Sequence, residues 1–102
     1  MNHTMNNLTF VCYDISSDKL RRRIDKTMKD FGVRLQYSIF LCKLDSDDVK
    51  RCREKLLNVL DKFEKERESK DSVIIIERIL GVRVECLLGS ELSKNESDYQ
   101  IL

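Results

Sequence analysis

The sequence predicts a single α+β domain in which two helices cover one face of a β-sheet. Its 102 residues suffice for one hydrophobic core, since an independent domain usually takes roughly 100 to 200 residues. Hydrophobic residues make up 41% of the chain and charged residues 36%, which is typical of a globular domain and unlike a disordered chain. Two amphipathic helical stripes alternate with short runs of β-forming residues, and this alternation indicates the mixed fold class.

The first half of the chain is predicted to hold a strand, a helix and a second strand. β-forming residues dominate 8–15, and residues 16–18 then provide hydroxyls and a carboxylate suited to a helix N-terminus. An apolar stripe at helical spacing follows: Leu20, Ile24, Met28 and Phe31. Gly32 is placed for a left-handed cap that ends this helix, and a strand pattern resumes over 35–44.

The second half is predicted to hold one helix and two strands. Residues 46–48 repeat the cap-plus-acid signal, and a strong apolar stripe follows it: Val49, Cys52, Leu56, Val59, Leu60 and Phe63. Strand-like runs cover 73–80 and 82–88 and pivot near Gly81. The predicted order, β-α-β-α-β-β, is close to the β-α-β-β-α-β core of a ferredoxin-like two-layer sandwich.

The strands carry apolar residues on both faces, which bears on the oligomeric state. Odd and even positions alike are apolar within 8–13 and within 73–76. Because two helices on one side of a sheet leave its other face open, we expect a homodimer packed sheet against sheet. The alternative is a monomer with a partly apolar exposed sheet.

Charge is balanced overall but uneven along the chain. There are 19 Lys and Arg residues against 18 Asp and Glu, so the net charge is +1 and any nucleic-acid binding must be local. Seven basic residues cluster around the predicted first helix: Lys19, Arg21, Arg22, Arg23, Lys26, Lys29 and Arg34. Part of this cluster has an alternative role, because Arg21 could pair with Asp25, and Lys26 with Asp30, on the helix surface.

The remaining composition excludes several classes of protein. The four cysteines lie among apolar neighbours with no C-x-x-C pair, which predicts buried thiols rather than disulfides or a zinc site. The single histidine, His3, excludes a histidine-driven ribonuclease mechanism. No apolar run approaches the roughly 18 residues of a membrane span, and no signal-peptide pattern opens the chain, so we expect a cytoplasmic protein without membrane contact.

Two segments carry a recognisable pattern. The first is Val11-Cys12-Tyr13-Asp14-Ile15, and the second runs from Phe31 to Phe40 as FGVRLQYSIF. At this separation they resemble the second CRISPR-associated protein family, the small dimeric partner of the CRISPR integrase. The resemblance covers 8–89, so we expect a ferredoxin-like domain over 1–89, with 1–7 as an extra segment. Residues 90–102 form a polar tail whose last four residues are a candidate edge strand.

Asp14 is the main candidate for chemistry. From the residues alone the pattern favours a turn or capping aspartate, because Asp14 stands just before a helix N-terminus. The resemblance implies that it is the catalytic, metal-binding carboxylate of the family. One carboxylate holds Mg²⁺ poorly, so we expect a Mg²⁺ ion shared by the two Asp14 side chains of the dimer, whose mutual repulsion it would relieve.

The resemblance also implicates residues around Asp14. Tyr13 becomes a second catalytic candidate, although its place on the opposite strand face also suits a packing role. Phe40 is implied as an interface or supporting residue, with a core position as the alternative. The expected nucleic-acid contacts combine family positions with unpaired helix cations: Arg21, Arg22, Arg23, Lys29 and Arg34.

Three functions are compatible with these features. The first, implied by the resemblance, is a subunit for CRISPR spacer acquisition that binds double-stranded DNA and bridges integrase dimers, with Mg²⁺-dependent endonuclease activity on DNA or RNA. The second is a free-standing, toxin-like, metal-dependent endoribonuclease. The third is a ferredoxin-like binding module without catalysis.

Overall fold

A computed structural model describes residues 8–79 together with 85, 87 and 88. Its elements are β1 (Leu8–Asp14), α1 (Asp18–Met28), β2 (Gly32–Gln36), β3 (Ile39–Lys43), α2 (Ser46–Lys62), a short 3₁₀ helix (Glu64–Glu66) and β4 (Ser72–Ile79). The strands form one antiparallel sheet in the order β2-β3-β1-β4. This is the β-α-β-β-α-β arrangement of a ferredoxin-like sandwich, so the predicted α+β fold class is confirmed.

The helices begin where their capping chemistry predicts. The Ser17 side chain accepts a hydrogen bond from the Leu20 amide at 3.2 Å, and Asp18 lies in the first turn of α1. The N-cap of α2 is Asp45, one residue before the predicted cap segment, and it accepts from the Asp48 amide at 2.8 Å. Because the cap hydroxyl of Ser17 and the cap carboxylate of Asp45 each satisfy an amide that the helix leaves unpaired, both helix starts are determined locally.

The segment 35–44 is a hairpin and not the single strand that the sequence predicts. Gln36 pairs with Ile39 across the turn, and a register shift lies between Arg34 and Gln36. Turn residues such as glycine, asparagine and proline are absent from 37–38, which is why the pattern reads as continuous. The hairpin converts the predicted β-α-β-α-β-β order into β-α-β-β-α-β.

Gly32 has a different role from the predicted helix cap. α1 ends at Met28, with Lys29 as a right-handed cap, and Gly32 is the first residue of β2. A Cβ atom at Gly32 would lie 2.6 Å from the Cys42 Sγ and closer still to the Leu41 carbonyl oxygen. The glycine therefore permits the close approach of β2 to β3.

The hydrophobic core lies between the sheet and the two helices. The buried faces of both helices contribute to it: Leu20, Ile24, Met28, Val49, Cys52 and Leu56. Val11 and Tyr13 from β1 and Val73 and Ile75 from β4 meet them from the sheet. The alternate residues of β4 point the other way, because Ile74 is 52% and Ile76 46% exposed. The sheet is thus apolar on both faces, as predicted.

Three of the four cysteines lie within the described residues, and all three are free thiols. Burial raises the pKa of Cys42 to about 12 and that of Cys52 to about 11, so both thiols stay protonated at neutral pH. The prediction of buried thiols is confirmed for Cys42 and Cys52, whereas Cys12 is only partly buried. The predicted strand at 82–88 and the tail at 90–102 lie largely or wholly outside the described residues. Within the described ranges, neither helix has the length and apolar character that a bilayer crossing requires.

Candidate functional site

Asp14 ends β1 on the face of the sheet that the helices do not cover. It is exposed, and its strand partner is Ser72 at the start of β4. The next pair on the same face is Cys12 with Ile74. The carboxylate therefore stands at the edge of the exposed apolar face, where a second copy of the chain could approach it.

A cavity of about 350 Å³ opens beside Asp14, between the ends of β1 and β4 and the β2–β3 turn. The polar residues of its lining, besides Asp14, include Gln36, Ser38 and Ser72. Amide and hydroxyl oxygens are acceptable partners for a hard cation or for its bound waters. The apolar part of the lining comes from Cys12, Ile39 and Ile74.

A single chain does not complete a metal site. Across residues 8–79 and the three described beyond them, no group of three or more His, Cys, Asp or Glu side chains could hold a metal ion. Mg²⁺ commonly takes one or two carboxylates and fills the remaining positions with water or phosphate oxygens. The donors of one chain fit such an ion only when a second Asp14 carboxylate is added to the first. The hypothesis of a bound metal therefore depends on the hypothesis of a dimer.

Tyr13, the neighbouring residue, points into the core and is 5% exposed. Its hydroxyl donates a hydrogen bond to Asp25 of α1, and its ring stacks on Phe40 with 6.3 Å between ring centroids. Burial, with the Asp25 hydrogen bond and charge as further causes, raises the Tyr13 pKa well above its usual range. Tyr13 is thus held protonated and away from the Asp14 face, which favours a supporting role over its predicted catalytic one.

Removing the Tyr13 hydroxyl should therefore cost stability. Tyr13→Phe should lower the free energy of unfolding by about 1 to 2 kcal/mol, because Asp25 loses a donor in a half-buried position. Urea denaturation measures this. Tyr37→Phe is the matched control, since the Tyr37 ring is 66% exposed and should be replaceable without effect. Equal stability of both variants would show that the Tyr13 hydrogen bond contributes nothing.

Arg34 and Arg21 belong to the same supporting network. Arg34 lies 3.4 Å from Asp25, donates to the Tyr37 carbonyl oxygen at 2.8 Å and stacks over the Phe40 ring at 5.3 Å. Arg21 pairs with Asp18 rather than with the predicted Asp25, and its guanidinium lies 5.2 Å from the centre of the Tyr37 ring. Their assigned contacts to nucleic acid stay predictions, as does any role for Phe40 beyond the buried core position that it occupies.

The other predicted basic residues are differently placed. Arg22, Arg23 and Lys29 are exposed, and none of the three forms an ion pair with a described residue. Arg22 and Lys29 lie seven residues apart, two helical turns, and so share one face of α1. The predicted Lys26–Asp30 ion pair is likewise absent within 4 Å among the residues that the structure describes. The exposed Arg22, Arg23 and Lys29 side chains are therefore accessible to phosphate groups.

No pattern in the sequence pointed to Asp71, which directly precedes Ser72 and contacts the turn that follows Asp14. Its carboxylate accepts hydrogen bonds from the Ser16 amide and hydroxyl, both at 3.0 Å, and from the Glu68 amide at 2.9 Å. These donors lower the Asp71 pKa, the Glu68 amide most of all. Asp71 therefore ties the α2–β4 loop to the turn that follows Asp14, a contact across 55 positions that no local pattern announces.

The family assignment rests on most of the chain. A family model described as "CRISPR associated protein Cas2" matches residues 7–79, a range that includes both segments noted in the sequence. The chain belongs to the Cas2 family. This confirms the resemblance carried by the two segments Val11–Ile15 and Phe31–Phe40.

Individual Cas2 relatives agree with this assignment. The chain is 40% identical over 70 residues to CRISPR-associated endoribonuclease Cas2 1 of Archaeoglobus fulgidus. The aligned region covers 68% of this chain and 68% of the relative. The chain is 37% identical over 59 residues to CRISPR-associated endoribonuclease Cas2 of Chlorobaculum tepidum, covering 53% of this chain. That match spans 62% of the Chlorobaculum protein, which is less than two thirds of its length.

Solved structures match the fold over nearly the whole chain. A hypothetical protein, TT1823 from Thermus thermophilus, superposes with a TM-score of 0.63 at 27% identity, covering 84% of this chain and 95% of that one. Streptococcus pyogenes Cas2 superposes with a TM-score of 0.55 at 24% identity, covering 86% and 93%. At that identity the second match supports the Cas2 fold alone.

Proposed function

We propose that this Cas2 family member is a homodimeric endonuclease with one Mg²⁺ ion held between its two Asp14 carboxylates. The position of Asp14 carries the proposal: exposed, at the end of β1, and on the apolar face that a second copy would cover. The relatives are named endoribonucleases, which supports RNA as a substrate, and duplex DNA is the second substrate to test.

In the proposed site each chain contributes the Asp14 carboxylate and three neutral polar residues that line the neighbouring cavity. Gln36, Ser38 and Ser72 line the cavity beside Asp14, which supports a role for them in orienting water or a phosphate oxygen there. A bound divalent cation supplies Lewis-acid stabilisation of the charge that develops on the scissile phosphate. Asp25 of α1 bonds to Tyr13 of β1 and pairs with Arg34 of β2. These contacts link the three elements and so hold Asp14 in position, without touching substrate.

Family membership favours a CRISPR-associated role over a free-standing, toxin-like ribonuclease. We therefore extend the proposal to spacer acquisition in the cytoplasm, with the dimer lying along duplex DNA and bridging integrase dimers. Such a subunit needs contacts to the phosphate backbone rather than to base edges. The exposed cations of α1 provide contacts of that kind.

The nucleic-acid part of the proposal predicts a change in salt dependence. Log K falls as log salt rises, and each phosphate contact contributes about 0.9 to the steepness of that fall. Replacing both Arg22 and Lys29 by Gln should therefore make the fall shallower by about two. Fluorescence anisotropy with duplex DNA and with duplex RNA measures it. The control is the double variant Lys50→Gln with Lys65→Gln, two exposed lysines outside α1. An unchanged slope in the first variant would place the nucleic acid on another surface.

A further inference from the structure

A groove of about 340 Å³ runs between α1 and α2, on the helix layer of the molecule and away from Asp14. Arg23 and Lys26 line it from α1, and Lys55 and Asn58 line it from α2. Both pairs are three residues apart, so each pair shares one face of its helix. The two basic faces meet along the seam where the helices pack.

The two helices run antiparallel along this seam. Lys19, in the first turn of α1, lies 5.8 Å from the ring centre of Phe63 just beyond the end of α2. Arg51, near the start of α2, lies 5.4 Å from that of Phe31 beyond the end of α1. The middle of α1 therefore faces the middle of α2, and the groove cations are brought together from different parts of the sequence.

The charges of the groove are poorly compensated by the residues that the structure describes. Three cations face a single carboxylate, Asp30. Other arginines are paired, for example Arg51 with Asp48 at 3.3 Å and Arg53 with Glu77 at 3.5 Å. By contrast, the groove cations form no ion pair within 4 Å with any residue in the described part of the chain. Like charges that line one groove repel one another, and a bound anion would relieve that repulsion.

We infer that this groove binds backbone phosphate of the nucleic acid, an inference that rests on the nucleic-acid binding proposed above. The Arg23 guanidinium and the two lysine ammonium groups supply charge, and the Asn58 amide supplies a neutral donor. Bound nucleic acid then contacts α2 as well as the Arg22 and Lys29 face of α1. The contact is to phosphate, so it carries no base preference.

Lys55→Gln tests the groove without altering α1. Anisotropy titrations with a mixed-sequence duplex DNA, at several salt concentrations, should show a slope lower by about one and binding roughly fivefold weaker at 0.1 M salt. Lys50→Gln is the matched control, because Lys50 is an exposed lysine of α2 outside the groove, and it should bind like the unmodified protein. Lys26→Gln should reproduce the effect from the α1 side.

The outcomes separate this inference from the proposed function. If Lys55→Gln and Lys26→Gln bind like Lys50→Gln while the Arg22 and Lys29 double variant is weakened, the groove is not a phosphate site and the proposed function stands. If the unmodified protein binds neither duplex, the proposed function fails and the groove inference fails with it. Equal losses in Lys55→Gln and Lys50→Gln would indicate a diffuse charge effect and would also overturn the groove.

Discussion

Ile74→Glu should convert the proposed dimer into monomers of 12.1 kDa. Ile74 and Ile76 lie on the sheet face opposite the helices and are about half exposed. Covering the exposed half of an isoleucine side chain is worth about 1 kcal/mol. The Glu carboxylate in its place would in addition have to be desolvated at the interface, and a symmetric dimer contains both effects twice. We therefore expect the dimer to lose about 4 kcal/mol, which weakens its Kd about a thousandfold.

Sedimentation velocity over a micromolar concentration series measures this change. Leu57→Glu is the matched control, because Leu57 is 55% exposed but belongs to α2 on the helix side of the sheet. The control should sediment as the unmodified protein does. A monomer at high micromolar concentration before any substitution would contradict the dimer and, with it, the shared Mg²⁺ site.

Asp14→Asn should abolish Mg²⁺-dependent cleavage while leaving nucleic-acid binding within about twofold. An amide of the same shape keeps the packing but removes the charge that holds the cation, and metal stabilisation of the transition state is worth several kcal/mol. At about 1.4 kcal/mol per tenfold, the expected loss in rate is about a thousandfold. Binding is preserved because the phosphates are expected to meet the cations of the helices rather than Asp14.

The assay compares single-stranded RNA, duplex RNA and duplex DNA, each with Mg²⁺ and with the metal removed by a chelator. Asp47→Asn is the matched control, because Asp47 is an exposed carboxylate in the first turn of α2 and should keep full activity. Unchanged cleavage by purified Asp14→Asn would place the activity elsewhere. Cleavage that persists without metal would contradict the proposed chemistry.

The sequence by itself determined the features that depend on neighbouring residues. Helical spacing identified the buried stripes of α1 and α2, and a hydroxyl at Ser17 marked the start of α1. Alternation showed that β1 and β4 are apolar on both faces, because successive side chains of a strand point to opposite sides. The place of Asp14 at the end of β1 followed from the same pattern.

Only the tertiary structure decided which distant groups meet. The turn at 37–38 contains no glycine, proline, asparagine or aspartate. The structure shows that Arg34 donates a hydrogen bond to the Tyr37 carbonyl oxygen and that Gln36 pairs with Ile39. Asp25 bonds to Tyr13 rather than to Arg21, which is only one helical turn away. Such contacts depend on strand order and helix placement, and these are set by packing over the whole core. Periodicity and capping are local and carry no information about them.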